Sequence, residues 1–241
     1  MRNSFSLTLL FGLIVSFSSV VRAADHLAPE EGEALLAEAD AKTALTEMAD
    51  TFKKTPAFKA KIVSEMDDEL MGKTKKEGEL IMQRPGTVLR KFAKPAAALM
   101  VEDTFLREYD PATKHVIERD FSKAPKAMAL LRAGFTLDVS VLQDYFTINV
   151  FKKGTDLRLV LIPKPEKKIP LKFDAVKVRW KSGDAFFYEV DRLPKKGSGQ
   201  QRVVEKFSDF TPLKDVAKAD VSDPLLQGKD VDKQPVNELE Q

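Results

Sequence analysis

The stretch GELIMQRPGTVLRKFAKPAAALMVEDTFLREYDP, Gly78 to Pro111, decides the reading of this chain. It divides into four short apolar runs: Glu79–Met82, Thr87–Phe92, Leu99–Val101 and Phe105–Tyr109. The joints between them are Arg84-Pro85-Gly86, Lys94-Pro95, Glu102-Asp103 and Asp110-Pro111. Proline fixes φ at such joints and glycine frees it where the chain reverses. Runs this short and this evenly punctuated indicate an antiparallel meander. The stretch carries no catalytic signature, so function has to come from a surface or a cavity.

Working outward, Pro29–Lys54 reads as a helix, with Glu30 and Glu31 at its start and Lys53 and Lys54 at its end. Ala41, Leu45, Met48, Ala49 and Phe52 form one apolar stripe suited to packing on a sheet. In Ala57–Met66, residues Phe58, Ala60, Ile62 and Ser64 share a face, which predicts a strand paired with Glu77–Gln83 across a charged loop, Asp67–Lys76. His115–Arg119 continues the meander. The strand pattern then breaks for two short apolar helices, Lys126–Arg132, stopped by Gly134, and Val139–Asp144. These are either a crossover closing the sheet or a movable lid, since long insertions in β domains are often functional. Five further strands follow: Phe146–Lys152, Leu157–Pro163, Leu171–Trp180, Ala185–Arg192 and Arg202–Ser208. Together these make about eleven strands.

At the N-terminus, Arg2, the apolar run Leu7–Val21 and Val21-Arg22-Ala23 predict a signal peptide over Met1–Ala23, with export to the periplasm and cleavage near Ala23. The run is short for a membrane span. Without cysteine there is neither a lipobox nor a disulfide. The remaining 218 residues (241 less 23) suffice for one domain, expected at 24–213. Cleavage removes two bases and no acid, leaving 37 of each (39 less 2 bases), which gives nucleic-acid binding no electrostatic support. From Lys214 onward the chain is acid-rich and aperiodic, and residues 214–241 read as a disordered tail.

Catalytic groups are scarce. The two histidines, His26 and His115, stand far apart, and no phosphate loop, serine elbow or calcium loop occurs. Neither a metal site nor an enzyme is expected. Arginine inside apolar alternation does stand out. Val88, Arg90 and Phe92 share one strand face, and Phe105, Arg107 and Tyr109 share another. Either those faces are wet, with Leu89 and Leu106 buried, or the arginines rim a cavity and meet anionic groups there.

The signal peptide, helix, meander, helical break and closing strands together resemble the periplasmic outer-membrane lipoprotein carriers, the LolA-like family. The most specific segments are Glu77-Gly78-Glu79-Leu80, Arg84-Pro85-Gly86, Lys94-Pro95 and Tyr109-Asp110-Pro111. The resemblance implies a mainly β, α+β fold: an unclosed antiparallel half-barrel with an N-terminal helix and short lid helices over an apolar cavity for acyl chains. It implies a monomer that carries acylated lipoproteins from the inner to the outer membrane. An inner-membrane ABC exporter would load it, an outer-membrane acceptor would unload it, and no cofactor is involved. It assigns Arg84 a contact that holds the lid closed. Cavity and lid residues are then expected among Leu80, Met82, Val88, Arg90, Phe92, Leu99, Phe105, Arg107, Tyr109, Met128, Leu130 and Leu131. Positions 90 and 107, often aromatic in the family, are arginine here, which points to a more polar rim or another cargo. The alternatives are a carrier of a different lipid or glycolipid, and a periplasmic protein-interaction module built on the same half-barrel.

Overall fold

The computed structural model describes residues 27–68, 72–84, 86–167, 173–195, 197–214, 222–227 and 231–236. The leader expected at Met1–Ala23 lies outside them. The first half of the chain runs β1 (Ala34–Leu35), α1 (Glu38–Lys53), β2 (Ala57–Asp68), β3 (Gly72–Gln83), β4 (Thr87–Ala93), β5 (Ala96–Glu102), β6 (Phe105–Asp110) and β7 (His115–Asp120). Helices α2 (Pro125–Thr136) and α3 (Val139–Tyr145) follow, then β8 (Phe146–Lys153), β9 (Asp156–Pro163), β10 (Phe173–Lys181), β11 (Glu189–Pro194), β12 (Arg202–Pro212) and β13 (Val231–Pro235).

The thirteen strands among the described residues belong to one sheet, ordered β1-β8-β9-β10-β11-β12-β2-β3-β4-β5-β6-β7-β13. Two meanders, β2–β7 and β8–β12, meet where β12 pairs with β2. The connection from β7 to β8 therefore has to pass from one flank of the sheet to the other, and α2 and α3 make that crossing. The sheet stays unclosed, with β1 and β13 as its outer strands.

Alternation sorts the side chains. Phe58, Ala60 and Ile62 of β2, Leu80 and Met82 of β3, Val88 and Phe92 of β4, and Leu99 and Val101 of β5 all join one large core with α1, α2 and α3. Their neighbours Ile81, Leu89, Ala98 and Met100 point to the opposite face and form a second, smaller cluster. The meander is thus buried on both faces. Helix α1 enters the main core through Leu45, Met48 and Phe52. There Phe52 meets Trp180, Phe186 and Phe187.

Several expectations change. Helix α1 starts at Glu38, not Pro29, because residues 28–33 are held on the sheet. Buried Arg158 bonds Glu33 and the Ala28 carbonyl, and Lys153 bonds the Glu31 carbonyl. The charged loop 67–76 is instead largely hairpin: β2 and β3 pair out to Asp68 and Gly72. Gly134 does not stop α2, which runs to Thr136 and ends where Leu137 adopts the left-handed conformation (φ 53°). The expectation of a disordered tail also fails for its described part. Pro224–Gln227 forms a helical turn, and Val231–Pro235 pairs parallel with β7. Strands β1 and β13 are what raise the count above eleven.

Candidate functional site

Arg90 sits in the middle of β4, between Leu80 of β3 and Leu99 of β5 in register, and points into the main core. Its side chain is 2% exposed and donates from Nη2 to Glu205 of β12. Strands β4 and β12 stand three steps apart in the sheet. At about 4.8 Å per step that is roughly 14 Å along a flat surface. Two side chains close such a gap only across a concave one. The Arg90–Glu205 bridge therefore marks the hollow of a curled sheet.

Glu205 also accepts from Arg192 of β11, at 2.8 Å on its other oxygen. One carboxylate is thus shared by two guanidinium groups. Burial, with the Arg192 charge adding to it, pulls Arg90 well below the ordinary arginine value. Burial brings Arg192 down to about 10. Arg90 Nε has no hydrogen-bond partner among the described residues. The three charged groups line a small cavity of about 20 Å³. Its apolar walls come from Leu80 and Met82, from Phe186 and Phe187 ahead of β11, and from Phe207 of β12. Gly134 and Phe135 of α2 form its roof. A space of that size holds about one water molecule.

Arg84 occupies a different place from the one the resemblance assigned to it. It donates to the carbonyls of Phe52 and Thr55 at the end of α1, and its guanidinium lies over the Phe52 and Phe58 rings. A longer bond of 3.4 Å reaches the Ala185 carbonyl. It braces the C-terminus of α1, where orphan carbonyls and the helix dipole favour a cation. Burial pulls it down to about 10. One contact between roof and strands is made by Arg132 of α2. That side chain donates to the Asp103 carbonyl in the β5–β6 turn and lies over Gly86.

Leu80, Met82 and Arg90 reach the cavity. Val88, Phe92, Leu99, Met128, Leu130 and Leu131 belong to the same core around it. Arg107 does not: it lies on the outer face, partly exposed, bonded to Glu118 at 2.7 Å. Phe105 and Tyr109 share that outer face, and Tyr109 packs on the smaller cluster. The two arginine faces, equivalent in sequence, divide because Leu106 takes the inward position on β6 while Arg90 takes it on β4. Glu205, Arg192, Phe186 and Phe187 were missed. Glu205 carried the signal that singled out Arg90, a charge between Val203 and Phe207 on one strand face.

This geometry defines an open, curled β sheet wrapped round an apolar, helix-roofed interior with a charged cluster facing inward. No family profile and no curated protein matches the sequence. In fold the chain is similar to an uncharacterized conserved protein from Thermus thermophilus, at a TM-score of 0.48 and 11% identity over 81% of this chain and 99% of that one. It is also similar to a putative outer membrane lipoprotein-sorting protein domain from Vibrio parahaemolyticus (TM-score 0.42, 14% identity, 78% of this chain and 100% of that one). A LolA superfamily protein from Nitrosomonas europaea gives a TM-score of 0.41 and 9% identity over 76% of this chain and 97% of that one. Likeness at this level concerns fold alone, and the chain's own geometry has to carry the function.

Proposed function

We propose that this protein is a periplasmic carrier that takes the acyl chains of lipoproteins, or of another lipid, into its interior and moves them between the inner and outer membranes. The observation that carries the reading is the roof. Helix α2 buries Ala127, Met128, Leu130, Leu131, Ala133 and Phe135, far more than the single stripe a surface helix needs. It fills the hollow of the sheet with apolar side chains, as a bound chain would.

The cavity under Gly134 and Phe135 has room for one water and not for an acyl chain, so loading it requires the roof to move. Each methylene taken from water is worth ~0.8 kcal/mol, and a dozen supply on the order of 10 kcal/mol. That is enough to offset an opening step of a few kcal/mol. An unclosed sheet suits such a step, because its flanks are bridged by helices rather than by a ladder of hydrogen bonds. No helix among the described residues is long and apolar enough to cross a membrane.

The test is native mass spectrometry of the protein taken from the periplasm, followed by organic extraction of whatever it carries. Acylated peptide in the bound fraction supports the reading and makes lipoprotein the cargo. Free phospholipid or glycolipid supports lipid carriage and changes the cargo. Protein that is consistently empty, and that takes up no acyl ligand when offered one, overturns it.

A further inference from the structure

We propose that Arg90, Arg192 and Glu205 form an acceptor for the anionic head, a carboxylate or a phosphate, of an amphiphile bound in the interior. The inference rests on the carrier reading and adds to it the chemistry of the cargo's polar end.

These three are the charged residues among those lining the cavity. Two cations against one anion leave an excess of one positive charge in an apolar enclosure. Glu205 spends one oxygen on each guanidinium, through Nη2 of Arg90 and Nη2 of Arg192. A guanidinium carries five N–H donors, so most remain for another acceptor. The Arg90 Nε–H is buried and has no partner among the described residues. An unpaired buried donor is costly, more so when it carries charge. Apolar residues of similar volume would give a more stable core than this triad. A second anion would repay the cost: it would neutralise the excess charge and meet the planar forks that carboxylate and phosphate fit in pairs.

Glu205 keeps the two guanidinium groups together. Arg90 lies deep, at 2% side-chain exposure, whereas Arg192 is 16% exposed and sits toward the mouth. Gly134 and Phe135 cover the cluster, so the roof movement that admits the chain also uncovers the donors. Glu108 lies in the same row of the sheet, beyond Leu99, but is paired with Arg119 and does not line the cavity. The low dielectric of the Leu80, Met82 and Phe207 walls strengthens any charge-assisted bond made there.

The test is equilibrium binding of three ligands with the same sixteen-carbon chain to the full-length mature protein: hexadecanoate, hexadecyl phosphate and hexadecan-1-ol. We expect at least one anionic ligand to bind about tenfold tighter than the alcohol, a difference of about 1.4 kcal/mol. Which one wins distinguishes a carboxylate head from a phosphate head. In the triple variant Arg90→Met, Arg192→Met, Glu205→Leu, the preference for the anionic ligand over the alcohol should fall below about twofold. Should that variant not fold, Arg192→Gln alone should cut the preference severalfold. Equal binding of all three ligands to the wild type overturns the anion site and leaves the carrier reading standing. Binding of none overturns both. A preference that survives the substitutions overturns the site as well.

Discussion

Gly78 shows at single-residue scale how the sheet curls. It faces Ile62 on one side and Phe92 on the other. A Cβ there would lie 1.9 Å from the Lys91 carbonyl oxygen and 3.0 Å from the Phe92 ring. The carbonyl belongs to the backbone of β4 and has no rotamer to escape into, so a methyl group has to push β3 off β4. Gly78→Ala is therefore expected to cost about 3 kcal/mol or more, read from urea unfolding. An unchanged midpoint would mean that the strands do not approach this closely. Arg84 invites a different test. Its bonds to the Phe52 and Thr55 carbonyls make Arg84→Leu a stability variant, expected to lose about 2 kcal/mol and to speed amide exchange at Lys54 and Thr55. Altered cargo release at wild-type stability would restore the lid role suggested by family resemblance. Arg90 was legible in the sequence as an arginine among apolar neighbours, but its direction was not. Alternation gives the two faces of β4 without saying that both are covered.

At the scale of elements, arginines help tie down both the N-terminal segment and the roof. Burial pushes the Glu33 carboxyl up, but the hydrogen bonds from Arg158 and from the Glu30 N–H, with the Arg158 and Arg179 charges, hold it below its ordinary value. A carboxyl lowered by folding adds stability above its unfolded value of roughly 4.3, and that contribution is lost as pH falls through the folded value. Glu33→Gln should thus cost stability at pH 7, and progressively less as pH falls below the ordinary carboxylate range, in urea titrations. A difference independent of pH would refute the ionic account. Arg132 ties α2 to the β5–β6 turn through the Asp103 carbonyl. Losing that bond, Arg132→Ala should raise amide exchange across α2 about tenfold while leaving β2 and β3 protected. Uniformly faster exchange would make Arg132 a global stabiliser, not a latch. The sequence announced the long, periodic elements well. Residues 29–37 were misread because Pro29, Glu30 and Glu31 imitate a helix start. Buried Arg158, which holds Ala28 and Glu33 on the sheet, lies more than a hundred residues away.

For the whole molecule, the two-meander sheet and its helical crossing were legible, because short strands and turn residues are local signals. The closure of its edges was not. Nothing near Val231 in the sequence says that it will lie beside Val116. Yet the C-terminal segment has two tasks on the face away from the interior. Leu226 seals the smaller cluster of Ile81, Leu89, Ala98 and Met100. Strand β13 pairs with β7, which would otherwise present a bare edge to other chains. These tasks separate experimentally. Ending the chain at Lys214 should remove about 2–4 kcal/mol of stability, the burial of Leu226 and its neighbours accounting for most of it. It should also produce concentration-dependent association in sedimentation through the uncovered β7. Leu226→Ala in the full-length chain should cost about 2–3 kcal/mol and leave the protein no more associated than the wild type. Because the interior and its charged cluster lie on the other face, the truncated protein should still bind the ligands that the intact one binds. A truncated chain with an unchanged midpoint and no association would show that the segment does not hold the sheet. Loss of binding at retained fold would show that the tail, far from the cavity in the sheet, shapes it all the same.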